Sequence, residues 1–149
     1  MLPSVVRLTD TLMKTKKAQT APRRKILLVD DDPQILELYG TLLQDAGYQV
    51  DKAEHALAAV AAIVRAAPDL ILADIRMPIV DGKELVQELR SHTDSRGIPV
   101  VAVTGYDSPG NRESALAAGY DEYITKPIDP RTFGKRVGEL LDQFAAKKK

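Results

Sequence analysis

The sequence predicts an α/β domain, a parallel sheet with helices packed on both faces. Three observations carry that expectation. Short apolar runs alternate with helical-period segments five times from Lys25 onward, at roughly 25 residues per unit. The runs at 70–73 and 98–103 lack polar alternation, as strands buried on both sides do. Asp32-Pro33, Ser108-Pro109 and Asp129-Pro130 stand where helices would begin, and each pairs an N-capping side chain with a first-turn proline.

In order, Lys25–Val29 is the first strand, broken by Asp30-Asp31-Asp32-Pro33. The helix after Pro33 buries Ile35, Leu36, Tyr39, Leu42 and Leu43 at helical spacing, and Gly47 stops it. Gln49–Ala53 is a weaker second strand. Residues 54–67 form an Ala-rich helix, with Leu57, Val60, Ile63 and Val64 expected inward and Pro68 at its end. The central strand then runs to Asp74. A loop through Arg76-Met77-Pro78 reaches Asp81-Gly82, and the helix that follows turns Leu85, Val86 and Leu89 inward. Residues 98–103 form the fourth strand, ending at Thr104-Gly105. Ser108-Pro109 starts a helix that Gly119 closes. Residues 121–125 are a short fifth strand before Lys126-Pro127. Asp129-Pro130 opens the last helix, whose Phe133, Val137, Leu140, Leu141 and Phe144 share one face.

A chain of 149 residues is most simply one domain with one core. With no cysteine, disulfides, thiolate catalysis and Cys-based metal sites are excluded. No apolar stretch reaches membrane-spanning length and no signal-peptide block opens the chain, so a cytoplasmic location is expected. The zero net charge hides a split: residues 1–24 carry six cations and one anion, Asp10, and residues 147–149 are all lysine. Residues 25–146 therefore hold 12 basic and 20 acidic side chains. The expected organisation is a basic arm (1–24), the folded domain (25–146) and a Lys tail (147–149). The arm has a weak helical pattern in Val5, Leu8 and Leu12. A solvated arm is favoured over docking on a partner or an acidic lipid surface, because few apolar residues offset its ordering entropy. The acidic body argues against nucleic acid as a partner, and no membrane partner is expected.

In a parallel sheet the strand C-termini lie along one edge, just outside which ligands bind. Asp30, Asp31, Asp74, Thr104 and Lys126 all fall there. Each alone has an ordinary reading: the aspartates as loop residues, Thr104 as a strand terminus, Lys126 as a surface cation. Together they suggest chemistry. Three clustered carboxylates repel unless a cation sits among them. Oxygen ligands without His or Cys favour a hard ion such as Mg²⁺. A carboxylate beside such an ion can become an aspartyl-phosphate. A lysine ammonium and a threonine hydroxyl can neutralise charge on a transferred phosphoryl group.

The segments Ile-Leu-Leu-Val-Asp-Asp-Asp-Pro (26–33), Asp-Leu-Ile-Leu-Ala-Asp-Ile-Arg-Met-Pro (69–78), Pro-Val-Val-Ala-Val-Thr-Gly (99–105) and Tyr-Ile-Thr-Lys-Pro (123–127) stand in sequence order. Through them the chain resembles the response-regulator receiver domains of bacterial two-component signalling, over about residues 24–145. The resemblance implies a flavodoxin-like, doubly wound five-stranded sheet of order 2-1-3-4-5 with five helices. It implies Asp74 as phosphoacceptor and Lys126 as phosphate-binding lysine. Mg²⁺ would be held by Asp30, Asp31, Asp74 and the Arg76 carbonyl, with Asp31 the direct ligand alongside Asp74 and that backbone carbonyl. Thr104 and Tyr123 match the switch pair, although Tyr123 alone reads as a half-buried strand aromatic. A cis bond between Lys126 and Pro127 is implied as well.

The implied function is a stand-alone receiver, not an enzyme. It would take phosphate from a histidine kinase or histidine phosphotransfer protein, and its downstream protein would meet the face of the fourth helix, fifth strand and fifth helix. Homodimerisation is left open. Arg76 and Tyr106, two residues after Asp74 and Thr104, are expected to set phosphate lifetime. His55 and His92 are expected on the surface. Three other functions compete. A phosphatase of the haloacid-dehalogenase type would need a second Asp two residues after the nucleophile, where Arg76 stands. A receiver-like module that never uses phosphate is disfavoured by the complete acidic set. A basic-tailed DNA binder shows no recognition module.

Overall fold

Strands and helices alternate through residues 23–75, 79–105 and 111–147, the part of the chain that the computed structural model describes. The elements are β1 (Lys25–Val29), α1 (Pro33–Asp45), β2 (Gln49–Ala53), α2 (Ala56–Arg65), β3 (Leu70–Ile75), α3 (Ile79–Ser91), β4 (Val100–Thr104), α4 (Asn111–Ala118), β5 (Glu122–Thr125) and α5 (Phe133–Lys147). All strand pairs are parallel and the sheet order is β2-β1-β3-β4-β5, as expected. Residues 1–22 of the basic arm, Arg76, Tyr106, Ser108-Pro109 and the last two lysines lie outside the described residues.

Alternation along each strand divides the core in two. Leu28, Leu72, Val101 and Val103 meet Leu36, Tyr39 and Leu43 of α1 and Phe133, Val137 and Leu140 of α5. On the other face, Val29, Ile71, Ala73 and Ala102 meet Ala59, Ala62 and Ile63 of α2, Val86 and Leu89 of α3, and Ala115 of α4. Burying one such Leu or Ile side chain is worth roughly 1.5–3 kcal/mol. The β3 and β4 runs are buried because they lie between both layers.

The local signals for α1 work as read. The Asp32 carboxylate accepts the Gln34 N–H, and Pro33 occupies the first turn. Gly47 (φ 102°) and Gly119 (φ 119°) take the left-handed conformation that ends α1 and α4. The Lys126–Pro127 bond is cis.

Five expectations are corrected. Leu57 and Val64 are 71% and 63% exposed, and α2 packs instead through Ala59, Ala62 and Ile63. Its helix begins at Ala56, after His55 caps it by accepting the Ala58 N–H, rather than at 54. The α3 helix starts at Ile79, so Asp81 and Gly82 lie inside it. At the last helix, Asp129 heads only a turn, its carbonyl accepting from Thr132 and Phe133 and its carboxylate from Arg131, and α5 proper begins at Phe133. The strand limits shift by a residue or two: β4 is Val100–Thr104 and β5 is Glu122–Thr125.

One polar cluster stands where the strands begin. Arg90, in the last turn of α3, donates to the carbonyls of Gly119, Arg96 and Ile98 at 2.8–3.2 Å, and to Asp121 at 2.5 Å. Asp121 in turn accepts the Val100 N–H. One side chain thus ties α3 to the loop before β4 and the turn before β5.

Candidate functional site

The β1–α1 turn separates its three acids. The Asp30 side chain is buried, its residue 3% exposed, and its Oδ1 accepts the Asp32 N–H at 2.7 Å. Asp32 is occupied as helix cap. Asp31 lies between them on the exposed surface. Asp74, one residue before the end of β3, has a side chain only 3% exposed. Its register partner on β4 is Val103, and Ile75 pairs with Thr104.

Lys126 comes from the residue after β5. Its backbone N–H donates to the Thr104 carbonyl at 2.8 Å, which extends the ladder past the strand end. Its Nζ donates to Asp74 Oδ1 at 2.6 Å, and this ammonium is 25% exposed. The second oxygen, Asp74 Oδ2, is buried without a well-aligned hydrogen-bond partner. Alternation places Asp30, Asp74 and Lys126 on the α1/α5 side of the sheet, in step with Leu28, Leu72 and Ile124. Thr104 and Tyr123 are in step with Ala102 and fall on the other side; Thr104 is fully buried, and Tyr123 is half-buried against that cluster. Asp74 and the pair Thr104 and Tyr123 therefore belong to opposite faces of one sheet.

Tyr39 of α1 was read only as a member of an apolar helical face, and it is also part of this corner. It shares the lining of a small interior space with Asp30, Asp74, Leu28, Leu72 and Val103. Burial first, then the nearby Asp74 carboxylate and the Asp30 charge, push its phenol above the ordinary value. A tyrosine among aliphatic residues two turns below an acidic turn was the available signal.

Among the described residues no three His, Asp or Glu side chains stand together as a ready metal cage. The donor set nevertheless fits a hard cation. Two buried carboxylates and the adjoining Asp31 are all oxygen donors, and Asp74 Oδ2 is a buried oxygen that no aligned donor satisfies. His55 is exposed at the α2 N-terminus, and His92 pairs with Glu88 at 3.0 Å on α3. Neither is at the strand C-termini. No helix of the described residues is long and apolar enough to cross a membrane.

Residues 26–138 match the family model described as response regulator receiver domain. A 14.6 kDa protein from the sodA1 3' region of Leptolyngbya boryana is 38% identical over 112 residues, covering 75% of this chain and 86% of that one. Sensor protein GacS of Pseudomonas syringae pv. syringae is 39% identical over 120 residues, which are 78% of this chain and 13% of GacS. In structure, a CheY-like receiver domain protein from Methanospirillum hungatei JF-1 is similar with a TM-score of 0.69 and 35% identity. That match covers 84% of this chain and 98% of the other.

Proposed function

The chain belongs to the response regulator receiver domain family, whose members are signalling modules of two-component systems rather than classical enzymes, and from that premise we propose that it accepts a phosphoryl group on Asp74. The observation that carries this reading is the short Lys126–Asp74 contact at the strand C-termini, with the other Asp74 oxygen buried and unsatisfied. A histidine kinase or histidine phosphotransfer protein would be the donor. An Asp74 oxygen forms the new P–O bond, the P–N bond to the donor imidazole breaks, and its electron pair returns to that ring.

Lys126 holds the carboxylate in place beforehand and lies where it can follow charge onto the phosphoryl oxygens. Burial of Asp74 limits water at the carboxylate. Asp30, Asp31 and Asp74, with the Arg76 carbonyl, would hold Mg²⁺. Bound there, the ion supplies positive charge against the phosphoryl oxygens and the crowded carboxylates.

Thr104 and Tyr123 would carry the change across the sheet. The Thr104 hydroxyl is drawn toward phosphate and Tyr123 fills the space it leaves, biasing a pre-existing equilibrium of the α4–β5–α5 face toward its downstream protein. Arg76 and Tyr106 are proposed to flank the approach of hydrolytic water and so set phosphate lifetime, testable by dephosphorylation of the two alanine variants. The central test is intact mass after incubation with acetyl phosphate and Mg²⁺. Wild type gains one phosphoryl group, and Asp74→Asn gains none. No gain in wild type, or an undiminished gain in the variant, overturns the assignment.

A further inference from the structure

The α2 helix lacks the polar face that a surface helix ordinarily carries. Its sequence is Ala-Leu-Ala-Ala-Val-Ala-Ala-Ile-Val-Arg, with Arg65 the only charge. Ala59, Ala62 and Ile63 meet the core. The side turned away from it holds Leu57, Ala61 and Val64, spaced four and three residues apart, so that they form one exposed stripe over two turns. Leu57 and Val64 are the two most exposed large apolar side chains among the described residues. By contrast, α5 turns Lys135, Arg136, Glu139 and Asp142 outward. Contiguous apolar surface of this kind favours burial against another apolar element.

The chain itself carries a segment that fits. Val5, Leu8 and Leu12 of the basic arm are spaced three and four residues apart, a stripe of the same two-turn length as that on α2. No Gly or Pro interrupts residues 4–21. The junction of arm and fold is also fixed. The Lys25 N–H donates to Asp69 Oδ2 and the Asp69 N–H to the Lys25 carbonyl, both at 2.8 Å, and Asp69 stands four residues after the end of α2. Residues 13–24 can span up to about 40 Å, whereas the ten residues of α2 rise only about 15 Å. The arm therefore reaches the whole stripe. Charge has the right sign as well, since residues 1–24 carry six cations and one anion against 12 basic and 20 acidic side chains in residues 25–146.

We propose that residues 5–12 of the arm pack as a helix along the exposed stripe of α2, with Val5 toward Leu57 and Leu12 toward Val64. The direction follows from the tether. Leu12 is nearer to the β1 junction in sequence, and Val64 is nearer to it in the fold. Lys14, Lys16 and Lys17 then fall past the C-terminus of α2, where the carbonyl end of the helix and the exposed Asp69 favour cations. Three apolar residues are too few to order a free arm against its chain entropy. A tether of about ten residues changes that balance, because it holds them at roughly millimolar effective concentration beside the stripe.

The chain has no cysteine, so an introduced pair is the only one present. Leu12→Cys/Val64→Cys is compared with Leu12→Cys/Leu38→Cys in the full chain at micromolar concentration. Leu38 is 53% exposed on α1, across the sheet, and measures chance encounter. With oxidised glutathione as oxidant, the first pair is expected to close within one chain about tenfold faster than the second, read by intact mass as the loss of two hydrogens. Equal rates overturn the proposal, since an arm without a preferred surface meets both sides alike. Disulfides formed mainly between chains also overturn it, the stripe then being covered by a second copy. Tryptic cleavage after Arg7 gives a readout without cysteines. It is expected to be about tenfold slower in wild type than in Leu57→Asp/Val64→Asp, and Leu8→Asp, which leaves the domain untouched, should match that double variant. Cleavage as fast in wild type as in the variants overturns the docking, and so does protection of wild type that requires phosphatidylserine vesicles.

Discussion

Where the strands begin, Arg90 places its guanidinium among three carbonyls and Asp121, and Asp121 accepts a second donor from Val100. Where the same strands end, Asp30 and Asp74 are buried beside each other, Lys126 reaches one oxygen of Asp74, and the other oxygen has no aligned donor. Both clusters are polar and largely covered, and both join elements far apart in the chain. They differ in how completely their groups are satisfied. Buried polar groups in folded proteins are nearly always hydrogen-bonded, so a satisfied cluster is explained by stability alone. An unsatisfied one costs stability and needs another reason to persist. The contrast fits an architectural role for the Arg90 end and the proposed phosphoryl chemistry for the Asp74 end.

The sharpest way to break that contrast is to remove Asp74. Asp74→Asn is expected to lose phosphoryl uptake completely while its thermal midpoint stays level or rises, because repulsion with Asp30 is relieved. Loss of uptake together with a fall of several degrees would show that the carboxylate is mainly structural. The converse experiment is Arg90→Met, which keeps the aliphatic stem and deletes the donors. Three carbonyls and a carboxylate lose their partner, and the expected cost is about 2–4 kcal/mol in urea unfolding. Phosphoryl uptake per folded molecule should be unchanged. An uptake defect in conditions where the variant is fully folded would join the two ends and erase the distinction.

The same contrast marks what could be read from residues alone. The acidic end was legible because its chemistry uses short local signals: an apolar strand stopping at Asp74, a turn of three aspartates, a Lys-Pro after β5. Strand order was not readable from periodicity and came from the resemblance to receivers. The Arg90 clamp was not legible, since four of its five hydrogen bonds go to backbone carbonyls, which carry no residue identity. The inward face of α2 was misread for a packing reason. Large apolar residues were taken as the buried ones, but Ala59 and Ala62, 0% and 2% exposed, are the residues that meet the core, leaving Leu57 and Val64 outside. The sequence reading ends the loop at Gly82, yet the helical cost of a glycine, about 1 kcal/mol, is smaller than the burial of Val86 and Leu89 on the same helix. Tyr39 was seen as core and its hydroxyl overlooked, because helical spacing reports which way a side chain faces and not what its tip meets.

Two buried tyrosines sharpen the comparison with the smallest expected effect. Tyr120, just before β5 at the Arg90 end, has a phenol pushed above its ordinary value by burial alone. At the other end, Asp74 and Asp30 add to burial in raising Tyr39. A raised phenol binds its proton more tightly in the folded state than in the unfolded one. Its contribution is therefore fully present below the ordinary phenol value, near pH 10, and is lost as pH climbs from there toward the folded value. The loss is about 1.4 kcal/mol per pH unit for each such group. Tyr120→Phe is expected to lie within about 1 kcal/mol of wild type at pH 8, where the phenol is neutral in both folded and unfolded states. Wild type should then lose stability relative to Tyr120→Phe as pH rises from 10 to 11, because only wild type has this phenol to ionise. Because no carboxylate raises Tyr120, this relative loss should be the same in an Asp74→Asn background. A constant difference between the two would mean that Tyr120 is not held neutral by burial, and a relative loss that changes with Asp74→Asn would place the two ends in electrostatic contact.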